Sequence, residues 1–241
     1  MDQSLPRARF VVEALPAAGG VCRLTGEEAA HGKARRVAAG DPVVLVDGSG
    51  REARGRVERI GRTFLEVAVE RVGAGSAAET VALHLLVAAV RPERLSWIAE
   101  KATELGAARL TLVASQRTQR FRASEGLAHR LERVVREAAK QAERATWPRV
   151  AGPILFDQAL SGEETTRLIL DPSGEPFPAV LPAGPTALLV GPEGGWTEDE
   201  LEAALAAGWV AASLAAGKLR AETAAVAALT LARTALARNS R

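Results

Sequence analysis

The 241-residue chain is 47% hydrophobic and 25% charged, the composition of a globular protein with room for two cores and not of a disordered or fibrous one. Its net charge of +2 hides an uneven distribution: residues 1–72 carry 12 basic against 10 acidic groups, residues 116–149 carry 9 against 4, and residues 150–241 carry 6 against 11. Cys22 is the only cysteine, which excludes an intrachain disulfide and a cysteine-rich metal site, while the absence of a bilayer-length apolar run or a secretory h-region leads us to expect a cytoplasmic protein without a membrane segment.

Residues 1 to about 70 read as short strands: "ARFVVEAL", "DPVVLVDGSG" with a turn over residues 47–50, "EARGRVERIG" and "TFLEVAVERV". The small residues of "GAGSAAE" then mark a boundary, giving domains 1–72 and 73–241. Beyond it the period changes. "VALHLLVAAV" is a buried strand, and "PERLSWIAEKATELGA" places Leu95, Ile98, Ala102 and Leu105 at helical spacing with Gly106 as the stop. "RLTLVAS" is a strand, and a helix is expected from about 124 to 145 with Leu127, Leu131, Val134 and Ala138 on one face. The strands "RLILD" and "TALLVG" follow, then a helix over 197–207 with a Thr197/Glu200 capping box, the strand "WVAASL" and a last helix from 222 to about 238. Such alternation predicts an α/β domain with a mostly parallel sheet covered on both faces.

Two loops carry the chemical signal. In "LLVGPEGGWTEDEL" three glycines fall within five residues at a strand's carboxyl end, where open α/β sheets bind ligands, just before a helix N-terminus. Bare backbone there lets main-chain groups touch a flat ligand, although a tight strand-to-helix turn would use some of the same residues. The spacing is neither the dinucleotide nor the P-loop pattern. "LAAGKLRAETAAVAALTLA" repeats the design, with Arg220, Glu222 and Thr223 before the last helix. Glu222 and Thr223 have capping roles open to them, whereas a cation at a helix N-terminus does not, which singles out Arg220. Arg117, Arg120, Arg122, Lys140, Arg144 and Arg149 lie in or beside loops with Phe121 and Trp147 between them, a pattern suited to nucleic acid. The three histidines show no ligand spacing, so no metal is expected.

"LLVGPEGG" and "LRAETA", about thirty residues apart, resemble the paired signature of SPOUT methyltransferases, specifically the RsmE family. "RARFVV", "HGKARRVAAGD", "VDGSG", "RLSWIAEKATELGA" and "KQAERATWPRV" extend the resemblance over nearly the whole chain. It implies an N-terminal PUA-like β-barrel, and a C-terminal SPOUT α/β domain with a deep trefoil knot that elementary topology rules would not produce. It further implies a homodimer that methylates N3 of a uridine in 16S ribosomal RNA of the small ribosomal subunit. S-adenosyl-L-methionine would then sit against Leu170, Gly191, Pro192, Glu193, Gly194, Gly195, Leu214, Leu219, Arg220, Glu222, Thr223 and Ala224. The chain departs from the family pattern at Ala215 and Gly217, where L-G-x-R-[IV]-L-R loses its first arginine. It departs again at Lys140, where a carboxylate leads the family's run, and at His31, which stands without its pair.

Uracil N3 is a poor nucleophile until its proton leaves. On this reading Glu193 or Glu222 takes the proton, Arg220 stabilises the anion, and Arg7, Arg9, Arg35 and Arg36 hold RNA phosphates. An RNA-binding assembly factor without turnover, and a SPOUT enzyme acting on another RNA, are the rival readings.

Overall fold

The computed structural model describes residues 5–75, 82–88, 91–118, 126–215 and 217–239. It divides into two compact units, Met1–Glu79 with Ala139–Thr146, and Thr80–Ala138 with Trp147–Arg241.

The first unit contains β1 (Ala8–Val11), β2 (Val21–Thr25), α1 (Gly26–Ala34), β3 (Pro42–Val46), β4 (Arg51–Ile60) and β5 (Phe64–Ala74). Its sheet runs β1-β3-β4-β5-β2, antiparallel except for the β1–β3 pair. The expected turn over 47–50 joins β3 to β4, with Asp47 Oδ1 accepting from Ser49 N at 3.0 Å and Gly48 and Gly50 at positive φ. Phe10, Leu45, Leu65 and Val67 fill the core. Neither β2 nor α1 was expected. The only buried residues of α1 are Ala29 and Gly32, and a Cβ at Gly32 would run into Leu65 Cδ1, so the helix packs by lacking a side chain and leaves no apolar stripe to read. The segment Ala139–Thr146 belongs to this unit: buried Lys140 donates to Glu28 Oε1 at 2.9 Å, and Ala145 C=O accepts from Gly50 N at 3.1 Å. Lys140, expected as a departure from the family pattern, thus has a carboxylate of α1 as its partner.

The second unit contains β6 (Leu83–Ala88), α2 (Pro92–Glu104), β7 (Arg109–Ala114), a 3-10 turn (Gln116–Thr118), α3 (Gly126–Gln141), β8 (Arg149–Leu155), α4 (Phe156–Ala159), β9 (Thr166–Pro176), β10 (Thr186–Val190), α5 (Glu198–Ala206), β11 (Val210–Ser213) and α6 (Ala221–Asn239), the end of α3 crossing into the first unit. The six strands form one parallel sheet, β11-β9-β10-β6-β7-β8. Both faces are covered, as the alternation of helices and strands predicts. On β6, Leu85 and Val87 join the cluster of Leu95, Ile98, Leu131 and Leu229, whereas Leu86 and Ala88 face the cluster of Ile169, Leu189, Trp196 and Trp209. The edge strand β8 escaped the sequence reading because "RVAGPIL" is mostly exposed and carries no alternation. Helix α3 stops earlier than expected: Glu143 at φ 53 sits in the left-handed region, Arg144 N donates to Ala139 C=O at 2.9 Å and Glu143 N to Lys140 C=O at 3.4 Å, a Schellman ending without glycine.

Candidate active site

Strand β10 is buried throughout and ends at Val190, delivering the glycine loop to the carboxyl edge of the sheet. Gly195 N donates to Pro192 C=O at 2.8 Å, closing a turn that needs Gly195 at φ 74. Gly191 lies against the Trp196 indole, where a Cβ would come within 3.0 Å of the ring. Trp196 is itself fixed: Nε1 donates to Leu170 C=O at 3.1 Å and the ring packs on Phe156 at 5.3 Å. Two of the glycines thus serve the loop's own geometry, as the tight-turn reading has it. The Thr197/Glu200 capping box forms as expected, Thr197 Oγ1 accepting from Glu200 N at 3.2 Å and Glu200 Oε2 from Thr197 N at 2.9 Å. The other oxygen of Glu200 accepts from Gln116 N at 2.7 Å, which ties the loop after β7 to the first turn of α5, just beyond the glycine loop.

Two further segments come to the same edge. Between Ala211 and Ala212 the β9–β11 register jumps so that Ala211 pairs with Ile169 and Ala212 with Glu175, and the intervening residues of β9 swing out. Gly174 permits the return, since a Cβ there would strike the β11 backbone. Asp171 Oδ1 in this excursion accepts from Ser173 N at 2.9 Å and Ser173 Oγ at 2.6 Å. The stretch after β11 leads into α6, whose first helical bond runs from Ala224 N to Arg220 C=O at 2.9 Å. Arg220 therefore occupies the cap position and Thr223 lies in the first turn, so the capping role considered for Thr223 is not taken.

These segments enclose a cleft of about 330 Å³ lined by Leu170, Gly191, Pro192, Glu193, Gly194, Gly195, Leu214, Leu219 and Ala224, together with Asp171, Ser173, Trp196 and Arg117. Of the residues expected at the cofactor, Arg220, Glu222 and Thr223 do not line it. Arg220 faces a neighbouring cleft of about 320 Å³ with Arg94, Lys218, Leu219 and Glu193, so Glu193 and Leu219 border both spaces. Arg94, in the first turn of α2, forms an ion pair with Glu193 and lies 3.7 Å from Glu222 Oε1. Thr223 is exposed on α6.

The basic residues separate into groups. Arg7, Arg35 and Arg36 are exposed on the first unit. Arg9 is buried, its guanidinium 3.4 Å from Glu52; burial lowers it from its ordinary range while Glu52 and Glu143 oppose that shift. Arg144 is 4% exposed. Neither of these two, expected as phosphate contacts, presents its charge at the surface. Arg117 donates to the Gly194 carbonyl and lines the larger cleft, placing it at the glycine loop. Arg120 and Arg122 lie outside the described residues. Trp147 packs against the core of the second unit.

Sequence reasoning missed Arg94 and Asp171. The helix-dipole argument that singled out Arg220 applies equally to a cation in the first turn of α2, and Asp171 closes the predicted strand "RLILD" at the ligand edge.

The cleft suits an adenosine-bearing cofactor. Leu170, Val190, Leu214 and Leu219 supply apolar walls, the glycines leave main-chain polar groups uncovered, and Asp171 and Glu193 place carboxylates beside them. Among the described residues no group of three or more His, Cys, Asp or Glu could hold a metal, and no helix is long and apolar enough to cross a membrane.

A parallel sheet with bare loops at its carboxyl edge, following a small β unit, defines a two-part α/β protein whose family models are an RNA methyltransferase domain over residues 77–233 and an RNA methyltransferase PUA domain over residues 24–70. The chain is 37% identical over 240 residues to ribosomal RNA small subunit methyltransferase E of Mycobacterium bovis, covering 91% of this chain and 88% of the relative, and 27% identical to that of Bacillus subtilis, covering 86% and 87%. A ribosomal RNA small subunit methyltransferase E from Neisseria gonorrhoeae, solved bound to S-adenosyl methionine, superposes with a TM-score of 0.86 at 26% identity over 92% of this chain and 95% of that one. A putative methyltransferase from Legionella pneumophila, solved with bound SAM, gives 0.85 at 26% identity over 94% and 97%. The chain belongs to the ribosomal RNA small subunit methyltransferase E family.

Proposed function

We propose that this protein uses S-adenosyl-L-methionine to methylate N3 of a uridine in 16S ribosomal RNA of the small ribosomal subunit. The observation that supports it most is the pairing of two clefts across Glu193: one with apolar walls and open backbone beside a second that holds Arg94, Lys218 and Arg220. Bound in the first, the cofactor supplies an electrophilic sulfonium methyl group.

The protein's own residues do the rest. Glycine-loop and β9 main-chain groups orient the ligand in the first cleft. Glu193 is 57% exposed and borders the second cleft, so it takes the N3 proton of a uracil lying there, directly or through water, with Glu222 behind it at 18%. Arg220 stabilises the uracil anion at its carbonyl oxygens. Residues 1–72 hold RNA and present Arg7, Arg35 and Arg36 to phosphates, while residues 73–241, apart from the Ala139–Thr146 segment of the first unit, carry methyl transfer. The deep trefoil knot, the homodimer, the small subunit as partner and a cytoplasmic location belong to the same reading.

Calorimetric titration with S-adenosylhomocysteine, followed by a methylation assay on small subunits and naked 16S RNA, tests it. Wild type should bind at micromolar or tighter affinity, and Gly195→Val should bind at least ~10-fold more weakly, because a β-branched residue at φ 74 is strained in the turn. A folded wild type that binds no S-adenosylhomocysteine would sink the enzyme reading and leave an RNA-binding assembly factor.

A further inference from the structure

Arg94 is oddly placed for a structural residue. It is the third residue of α2, where the helix dipole disfavours a cation, and it sits in a cleft already holding Lys218 and Arg220. Its guanidinium is met by two carboxylates, Glu193 from the glycine loop and Glu222 from the first turn of α6. Glu193 lies within one cleft-lining loop and Glu222 just after the other, so a single side chain of α2 bridges both. The bridge is also unsaturated: Glu222 Oε2 is out of solvent with no hydrogen-bond partner among the described residues. A buried acceptor left unmet is costly, and it persists where the geometry of neighbouring groups matters more than local satisfaction.

We propose that Arg94 is a positioning residue for methyl transfer: by bridging Glu193 and Glu222 it fixes the spacing of the two cofactor loops and holds the Glu193 carboxylate at the seam between the clefts. This rests on the function proposed above. A lysine in its place carries the charge but is a point donor, unable to span two carboxylates as a planar guanidinium does.

The test measures thermal midpoint, S-adenosylhomocysteine affinity and steady-state methylation of small subunits for wild type, Arg94→Ala, Arg94→Lys, Glu222→Gln and the Arg94→Ala/Glu222→Gln double variant. For Arg94→Ala we expect kcat to fall ~30-fold, S-adenosylhomocysteine affinity to weaken ~5- to 10-fold and KM for the subunit to stay within ~3-fold. Arg94→Lys should recover part of the loss, and the double variant should lose less than the product of the single losses, because both singles break one bridge. A role confined to stability would lower the thermal midpoint while kcat per folded enzyme stayed put, which overturns the proposal, as does an Arg94→Ala enzyme within twofold of wild type in kcat and affinity. If Arg94→Ala does not fold, the Arg94→Lys and Glu222→Gln proteins carry the same comparison. Wild type that binds S-adenosylhomocysteine but methylates no RNA would fail the function reading alone, and the affinities of the variants then decide the role of Arg94.

Discussion

At the residue scale, the glycine loop depends on a side chain that braces its backbone. Trp196 is 7% exposed, and its indole N–H is the donor for Leu170 C=O, the carbonyl where β9 begins its excursion around the cleft. Replacing Trp196 by Phe keeps most of the ring but removes that donor, leaving a carbonyl unmet. We expect a loss of about 1–3 kcal/mol, read from urea unfolding, and weaker S-adenosylhomocysteine binding as the β9 segment loosens. An unchanged unfolding midpoint would show that the bond is dispensable. The glycine signal was legible in sequence because positive φ and close approach are local demands that only glycine meets cheaply. Arg94 was not, since its significance arises only when residues of α2, the glycine loop and α6 are brought together. Arg9 and Arg144 show the converse limit: both are buried, Arg9 beside Glu52, and nothing in a sequence distinguishes a surface arginine from a buried one.

At the element scale, helix endings explain both what was legible and what was missed. Helix α2 stops at Gly106 with the expected left-handed glycine at φ 77, Ala107 N donating to Ala102 C=O at 2.9 Å. Helix α1 ends in the same way with Arg36 at φ 53, Val37 N donating to Gly32 C=O at 3.0 Å, and no sequence signal marks that stop. Arg36→Gly should therefore stabilise the protein by about 1 kcal/mol while weakening RNA binding if the exposed arginine meets phosphate. Thermal melts and filter binding separate the two effects, and a fall in stability would refute the strain argument. A second test joins β6, β7 and the loop before β9. His84 Nδ1 lies 2.8 Å from Glu164 and Nε2 2.8 Å from Thr111, and burial lowers the imidazole below its usual 6.5 although the Glu164 bond opposes it. For Glu164 burial acts upward, but the bond from His84, a backbone N–H and nearby Arg109 outweigh it and hold the carboxyl below its usual 4.5. Both native values are depressed, so both contributions are complete above the unfolded values and fade as pH falls. Stability should decline as pH falls below about 6.5 and again below about 4.5. His84→Gln should flatten the first limb in melts taken across that range, and an unaltered slope there would remove His84 as its source.

For the whole molecule, the two units are not consecutive in sequence. The α/β architecture and the β-rich start were legible because periodicity changes near residue 75, yet the chain re-enters the first unit at Ala139–Thr146, and no periodicity encodes such a return. Lys140 reports it. Its ammonium, 4% exposed, pairs with Glu28 across 112 positions of sequence, and the other Glu28 oxygen accepts from Val11 N at 3.2 Å. A carboxylate at this position would face Glu28 with like charge. Lys140→Glu should therefore destabilise the protein by roughly 3–5 kcal/mol, since it puts a carboxylate at a buried position and faces it with the partly buried Glu28, now without its counter-ion. Combining it with Glu28→Lys should restore the opposite charges but not the full stability, because a lysine at 28 cannot accept the Val11 N–H. Denaturant midpoints of the two singles and the double form a cycle in which the double lies closer to wild type than Lys140→Glu does. Additive losses would mean that the pair contributes no coupling, and the departure at Lys140 would then need another cause.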